Sequence, residues 1–380
     1  MRKFTDPDHQ KFLAMKKKFY CWCIGMLIST FLFLACSEEE FSLKDPVFHP
    51  YLEQSVHQLK RLQLSLKIQQ FSCDLTTPYF NDGLDMPACQ FTDFARILLG
   101  YFESFFNDKY FDFELAQYYT ELHRKYVTHY RGENYYGANG EYDQLAAKRM
   151  RELTSFWNLD RKMVLNGQHT ASLDDREILT DMIESFDRSV RNRTEAYRKA
   201  DELLEINMLS PSLPESPYFA MDAFTLPNGL LVIGDGLIET LIEAGTDGQI
   251  AFSAILAHEW WHQAQYENAE TWTEIDEYSE TWQVSRFIEL EADYAAAYFL
   301  THKRGATYNW KKIEEYFRLS FNVGDCLMES NTHHGTPTQR MNAAELGFEL
   351  ASSEKKKGMI LRPDEVHAFF IKNLDKVLDL

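Results

Sequence analysis

Apolar positions along this chain recur mostly at helical steps. Between Phe91 and Tyr130, the positions Phe94, Leu98, Phe102, Phe105 and Phe106, then Leu115, Tyr118, Tyr119, Leu122 and Tyr126, predict helices with an aromatic core stripe. Leu59, Leu62, Leu64 and Ile68 suit a helix over Ser55–Gln70, and another is expected over Tyr142–Phe156. Residues 132–142 read as a loop. Residues 165–175 read as a turn leading into one long charged helix from Asp174 to Ile206, with His169 solvated or capping.

Three prolines within 210–217 stop any helix and mark the clearest boundary in the chain. Beyond it, apolar runs flank Pro227-Asn228-Gly229, and Asn-Gly is a strong hairpin signal. Gly234 and Gly236 end the second strand, and Asp247 can cap a helix over Gly248–Tyr266. Further helices are expected over Ser279–Lys303, 305–321, Gln339–Ser352 and Pro363–Leu374. The expected class is mainly α with a small β-sheet or hairpin (α+β).

The length of 380 residues allows one large domain or two ordinary ones. With 45% hydrophobic and 14% aromatic residues the chain is not a disordered one. A net charge of −19 argues against a nucleic-acid partner, because phosphate contacts need a cationic face. Six cysteines at this length do not make a disulfide scaffold. Cys73 and Cys89 could pair, or stay as two buried thiols.

Lys16, Lys17 and Lys18 precede an apolar run from Phe19 to Ala35, then Cys36, Ser37 and the glutamates 38–40. A basic start, a short apolar centre and a small residue before a break predict a signal peptide over 1–35. At about 17 residues the run is short for a membrane span. Met15 alone would begin a complete signal. The cysteine after the run resembles the lipobox of bacterial lipoproteins, which implies a lipid anchor on Cys36. Phe33 departs from the Leu, Val or Ile preferred there. The acidic tract is similar to the export signal of surface lipoproteins in Bacteroidetes-type bacteria. The expected location is the bacterial cell envelope, at the outer membrane; an uncleaved membrane anchor is the other reading. Residues 36–56 then form a tether, 57–210 a helical region of unassigned role, and 218–380 the part that carries chemistry.

His258-Glu259-Trp260-Trp261-His262 is an H-E-x-x-H sequence. Residues four apart share a helix face, so both imidazoles can meet one tetrahedral Zn²⁺ with Glu259 beside them. The surrounding "IAFSAILAHEWWHQA" has the apolar density of a buried helix, where such polar groups are costly without partners. A catalytic zinc needs a third protein ligand and an open position. In 287–300, Glu289 and Asp293 share a face while Glu291 points elsewhere. Glu289 is the candidate third ligand, and Asp293 the candidate acceptor from the outer ring N–H of a zinc histidine. A solvated acidic face is the plainer alternative.

Taken together, "HEWWHQ", "ELEADYAA", "VGD" and "HGTPTQR" resemble the neutral zinc metallopeptidases of bacteria. Those carry an H-E-x-x-H helix, an E-L-x-A-D helix, a Gly-Asp pair (here Gly324-Asp325) and an H-G-[ST]-x-x-Q-R loop (here His334 to Arg340). More distantly, the chain looks like the HtpX and CAAX-prenyl-protease type of gluzincin, whose hairpin before the zinc helix is matched by Ala223 to Gly229. The resemblance covers about 218–350. It implies a zincin-like (gluzincin) domain, one catalytic Zn²⁺ on His258, His262 and Glu289, and hydrolysis of a protein or peptide substrate. It also implies that Glu259 takes the water proton and passes it to the leaving amine. His334 and Arg340 become candidate oxyanion donors. His334 could instead occupy the open zinc position, or touch no metal; His333 is the lesser candidate. Cys326 reads as a small buried residue. Trp260 and Trp261 fill positions that usually hold smaller residues, which means a narrowed site or an unusually buried helix. Asp222 stands where the distant family often has Asn. The strand at 219–225 is expected to border the cleft, where an extended substrate can add to its edge. The competing readings are a zinc-stabilised chaperone or scaffold lipoprotein and a zinc hydrolase of esters or amides.

Overall fold

The computed structural model describes residues 92–378 apart from 111–112, 214, 326–332 and 354–357. The signal peptide, Cys36, the tether, the Ser55–Gln70 helix, the Cys73/Cys89 pair and Cys326 lie outside the described residues. Helices dominate, around one small three-stranded sheet.

Helices α1 (Asp93–Asn107) and α2 (Phe113–His129) carry the aromatic stripe, with Leu98, Phe102, Phe105, Tyr119 and Leu122 all buried. After the 132–142 loop comes α3 (Asp143–Trp157). The next stretch is not the turn that its Asn-Gly pair predicts. It is strand β1 (Val164–Gln168), followed by a 3₁₀ turn over Thr170–Leu173. Asn166 points inward and donates to the Val127 carbonyl at 2.7 Å, so a side chain suited to turns serves a buried strand instead. His169 is likewise not solvated. It is buried, stacks on Tyr135 at 3.6 Å and lies 3.3 Å from the Asp235 carboxylate.

The long charged helix is in fact two, α4 (Arg176–Phe186) and α5 (Arg193–Leu209). Asp187 ends the first by accepting from the Ser189 N–H at 2.8 Å, and Asn192 starts the second by accepting from the Glu195 N–H at 3.1 Å. These are ordinary Asx-turn and N-cap chemistries that a charge-rich run conceals.

Past a 3₁₀ turn at Pro217–Ala220, the expected strand at 219–225 shortens to β2 (Ala223–Thr225), which turns into β3 (Leu230–Gly234). The sheet order is β1-β3-β2, with Val164 opposite Leu230 in the parallel pair and Phe224 opposite Val232 in the antiparallel pair. Gly229 at the hairpin tip has φ +89°, and a Cβ there would lie 2.3 Å from the Lys162 carbonyl. Only glycine fits, and its carbonyl accepts the Val164 N–H at 2.9 Å, tying the hairpin to β1.

A helix not expected from the sequence, α6 (Asp235–Glu243), begins as β3 ends, with Gly236 inside its first turn. Then come α7 (Gly248–Asn268), α8 (Thr281–Thr301), α9 (Trp310–Asn322), α10 (Pro337–Ser352), α11 (Pro363–Lys372) and α12 (Leu374–Leu378). Helix α8 lies against α10 and α7, with Ala292 and Ala295 to Ala297 fully buried. The main core draws on both sides of the 210–217 segment, since Tyr142, Phe156, Trp157 and Leu165 pack with Trp260, Trp261, Tyr294 and Tyr298. A second apolar cluster joins α1, α2, α4 and α5 to Tyr218 and Phe219. Among the described residues no helix is long and apolar enough to cross a membrane.

Candidate metal centre

Helix α7 is apolar on nearly every side, so it lies inside the protein and its few polar side chains must find partners on neighbouring elements. Asp247 caps it, accepting from the N–H groups of Gln249 and Ile250 at 3.0 and 3.1 Å. Trp260 and Trp261 are both buried, and Trp261 packs on Trp157 at 4.8 Å and on Trp272 at 5.7 Å. Their bulk therefore anchors the back of the helix in the core. The opposite side carries His258, Glu259 and His262, whose ligand atoms lie within 4.8 Å of one another.

The surroundings decide how each imidazole presents itself. His258 Nδ1 lies 3.0 Å from Asp293 Oδ1, and a carboxylate can only accept, so Nδ1 carries the proton. His262 Nδ1 lies 2.7 Å from Gln265 Oε1. That amide cannot be turned over, because its Nε2 donates to the Ile288 carbonyl at 3.0 Å and to Glu291 Oε2 at 2.8 Å. Both histidines thus hold Nδ1 as a donor and turn Nε2 inward.

These two Nε2 atoms lie 3.2 Å apart, and Glu289 reaches them at 3.2 Å from His258 and 3.5 Å from His262. Three such atoms this close need a positive charge among them, either a proton on His258 Nε2 or a metal ion in its place. Ligands about 2.0–2.1 Å from one tetrahedral zinc stand about 3.3 Å apart, so the donor set fits the ion in kind and in spacing. Glu289 Oε1 and Glu259 Oε2 are both buried without a hydrogen-bond partner among the described residues. The three acidic side chains of α8 are all buried, so the solvated acidic face is excluded.

The electrostatics agree with a cation site. Burial alone lowers the pKa of His258, but hydrogen bonds to Asp293 and Glu289 outweigh it and push the group up to about 10. Burial holds His262 down at about 4 against the pull of Glu289. For Glu289, burial is overcome by the facing His334, His258 and His262, which keep it well below the usual carboxylate range. Glu259 has no comparable partner, and burial pushes it up to about 7.

The "VGD" and "HGTPTQR" motifs brace this arrangement. At Gly324 a Cβ would lie 2.4 Å from the Pro337 nitrogen, so only glycine allows the two segments to touch. Asp325 donates its N–H to the Gly335 carbonyl at 3.1 Å and accepts from the His334 N–H at 3.0 Å and from His333 Nδ1 at 2.7 Å. Thr336 and Gln339 form a capping box that starts α10. One turn on, Arg340 places its fork on Asp293 at 2.6 and 2.9 Å.

The resemblance made Arg340 a candidate oxyanion donor. In the fold two of its donors are engaged by Asp293, so it acts on the carboxylate that orients His258. His334 is buried with neither ring nitrogen hydrogen-bonded among the described residues, and burial lowers its pKa. Asp222 lies between Gln168 at 2.6 Å and Arg124 at 3.3 Å, joining β1 and α2 to the segment before β2. Strand β2 touches α7 through Thr225, whose hydroxyl accepts from Gln263.

Sequence reasoning missed Gln265, Glu291 and His367. Gln265 had a local signal, lying one turn after His262 on the same helix. Glu291 was set aside because it points away from the metal face, and His367 has no local signal at all. No protein-family model, curated protein or solved structure matches this chain.

Proposed function

We propose that this protein is a zinc-dependent metalloendopeptidase of the gluzincin type, related to the bacterial neutral zinc metallopeptidases that its motifs resemble. The observation that carries the reading is the convergence of His258 Nε2, His262 Nε2 and Glu289 at 3.2–3.5 Å beside Glu259, whose buried Oε2 has no hydrogen-bond partner among the described residues. His258, His262 and Glu289 would hold the ion, which when bound supplies Lewis acidity and brings the pKa of a water to about 7.

The remaining work belongs to the chain. Glu259, pushed up to about 7 by burial, is matched to taking a proton from the attacking water and returning it to the leaving amine near neutral pH. Asp293, held by Arg340, fixes the tautomer of His258. His334, buried with both ring nitrogens unpartnered among the described residues, is our candidate to donate to a developing oxyanion. A purely structural zinc site would have no use for an unsatisfied buried carboxylate, which favours hydrolysis over a scaffold role. Anchoring to the cell envelope through Cys36 belongs to the same proposal and rests on the sequence. The test is cleavage of an unfolded protein mixture by the zinc-loaded full-length chain, with Glu259→Gln beside it.

A further inference from the structure

His262 sits at the inner end of a line of hydrogen bonds that leaves the site and reaches the protein surface. From His262 Nδ1 the line passes to Gln265 Oε1 at 2.7 Å, and from Gln265 Nε2 to Glu291 Oε2 at 2.8 Å. Glu291 Oε1 then meets His367 Nδ1 at 2.6 Å, and His367 Nε2 meets Glu274 Oε2 at 3.1 Å. Four separate elements contribute: α7, α8, α11 and the 3₁₀ turn Glu274–Glu277.

Each joint has a defined polarity. His367 faces a carboxyl group at both nitrogens, so both are placed to donate, a pattern that an imidazolium satisfies. Its ring lies flat on Trp272, with centroids 4.1 Å apart and planes 3° from parallel, which fixes where its Nδ1–H points. Trp272 in turn stacks on Trp261 of the metal-bearing helix. Glu291, 1% exposed, is a buried carboxylate whose two oxygens are held by His367 and Gln265. Held so, it leaves Gln265 one orientation, and that orientation leaves His262 one tautomer. Burial works against a charge on His367, but Glu291 and Glu274 overcome it and raise its pKa above the ordinary value.

We propose that Gln265, Glu291 and His367 are positioning residues: a relay that locks His262 as the Nδ1–H tautomer and so sets the metal affinity of the site from a distance. The inference rests on the metal reading above. It differs from a packing role because it assigns the effect to hydrogen bonds and not to the Trp272 stack. Outer partners of metal-bound histidines typically govern affinity by about 10–100-fold.

The test measures zinc affinity of the full-length chain by competition with a chromophoric chelator, with thermal unfolding of each metal-free variant beside it. His367→Phe keeps a ring on Trp272 and removes both donors. His367→Asn loses the ring but keeps an N–H where Nδ1 stood. Gln265→Met removes the clamp on His262 directly. The relay predicts that His367→Phe and Gln265→Met bind zinc about 10–100-fold more weakly, while His367→Asn stays within about threefold of wild type. Wild-type affinity in His367→Phe overturns the relay. So does an equal loss in Phe and Asn variants, which would assign the effect to packing. A wild-type chain that takes up no zinc overturns the metal reading itself, and the relay with it.

Discussion

Asp293 Oδ1 lies 3.0 Å from His258 Nδ1, while Arg340 grips the same carboxylate through two N–H donors. The E-L-x-A-D helix and the H-G-T-x-x-Q-R loop thereby meet at one carboxylate behind one histidine. Glu289, four residues before Asp293, extends from the same helix face to the inner nitrogens. One helix thus supplies both the carboxylate that faces the two Nε2 atoms and the group that orients His258.

Arg340→Met takes the guanidinium away from buried Asp293 and leaves it with His258 alone. Breaking a buried pair from one side costs about 3–5 kcal/mol, and urea unfolding of the metal-free chain is expected to show a loss of that order. Arg340→Lys keeps the charge but not the fork, and should fall between wild type and Met.

Glu289→Ala removes a candidate ligand. Zinc affinity is expected to fall beyond the about 100-fold typical of losing an outer partner. Competition with a chelator reads this directly, and retention at wild-type affinity refutes the ligand assignment.

The acid limb of kcat/KM should report Glu259. Burial raises this carboxyl to about 7, and only its ionised form can accept a proton, so the rate rises with pH through the limb. A bound divalent cation stabilises the ionised form, so the limb falls at or below about 7. A pH–rate profile whose acid limb lies well above that value contradicts the role.

Trp261→Ala should destabilise the chain by about 3–5 kcal/mol, because a fully buried indole between Trp157 and Trp272 cannot be replaced by local collapse. Thermal unfolding of the metal-free variant reads it. A change under about 1 kcal/mol would show that α7 is not anchored through this side chain.

The parts legible in the sequence were those with local chemistry. Asp247 before an apolar run gave the start of α7, Asn228-Gly229 the hairpin, and the spacings of H-E-x-x-H and E-L-x-A-D the side chains that the fold gathers. What stayed hidden depends on contacts distant along the chain. Strand β1 is a strand because β3 lies beside it, against the turn preference of Asn166 and Gly167. The fork of Arg340 closes on a residue 47 positions away, and His367 reaches Glu291 across 76. Helix α6 was missed for a local reason, since Gly236 in its first turn reads as the end of a strand.

The measurement closest to the central claim is peptide-bond cleavage by the full-length chain, wild type and Glu259→Gln at equal zinc content, with products identified by mass spectrometry. The account predicts one zinc per chain in both proteins and new peptide termini with wild type alone. Cleavage that persists unchanged in Glu259→Gln, or a wild-type chain that holds zinc and cuts nothing, would contradict it.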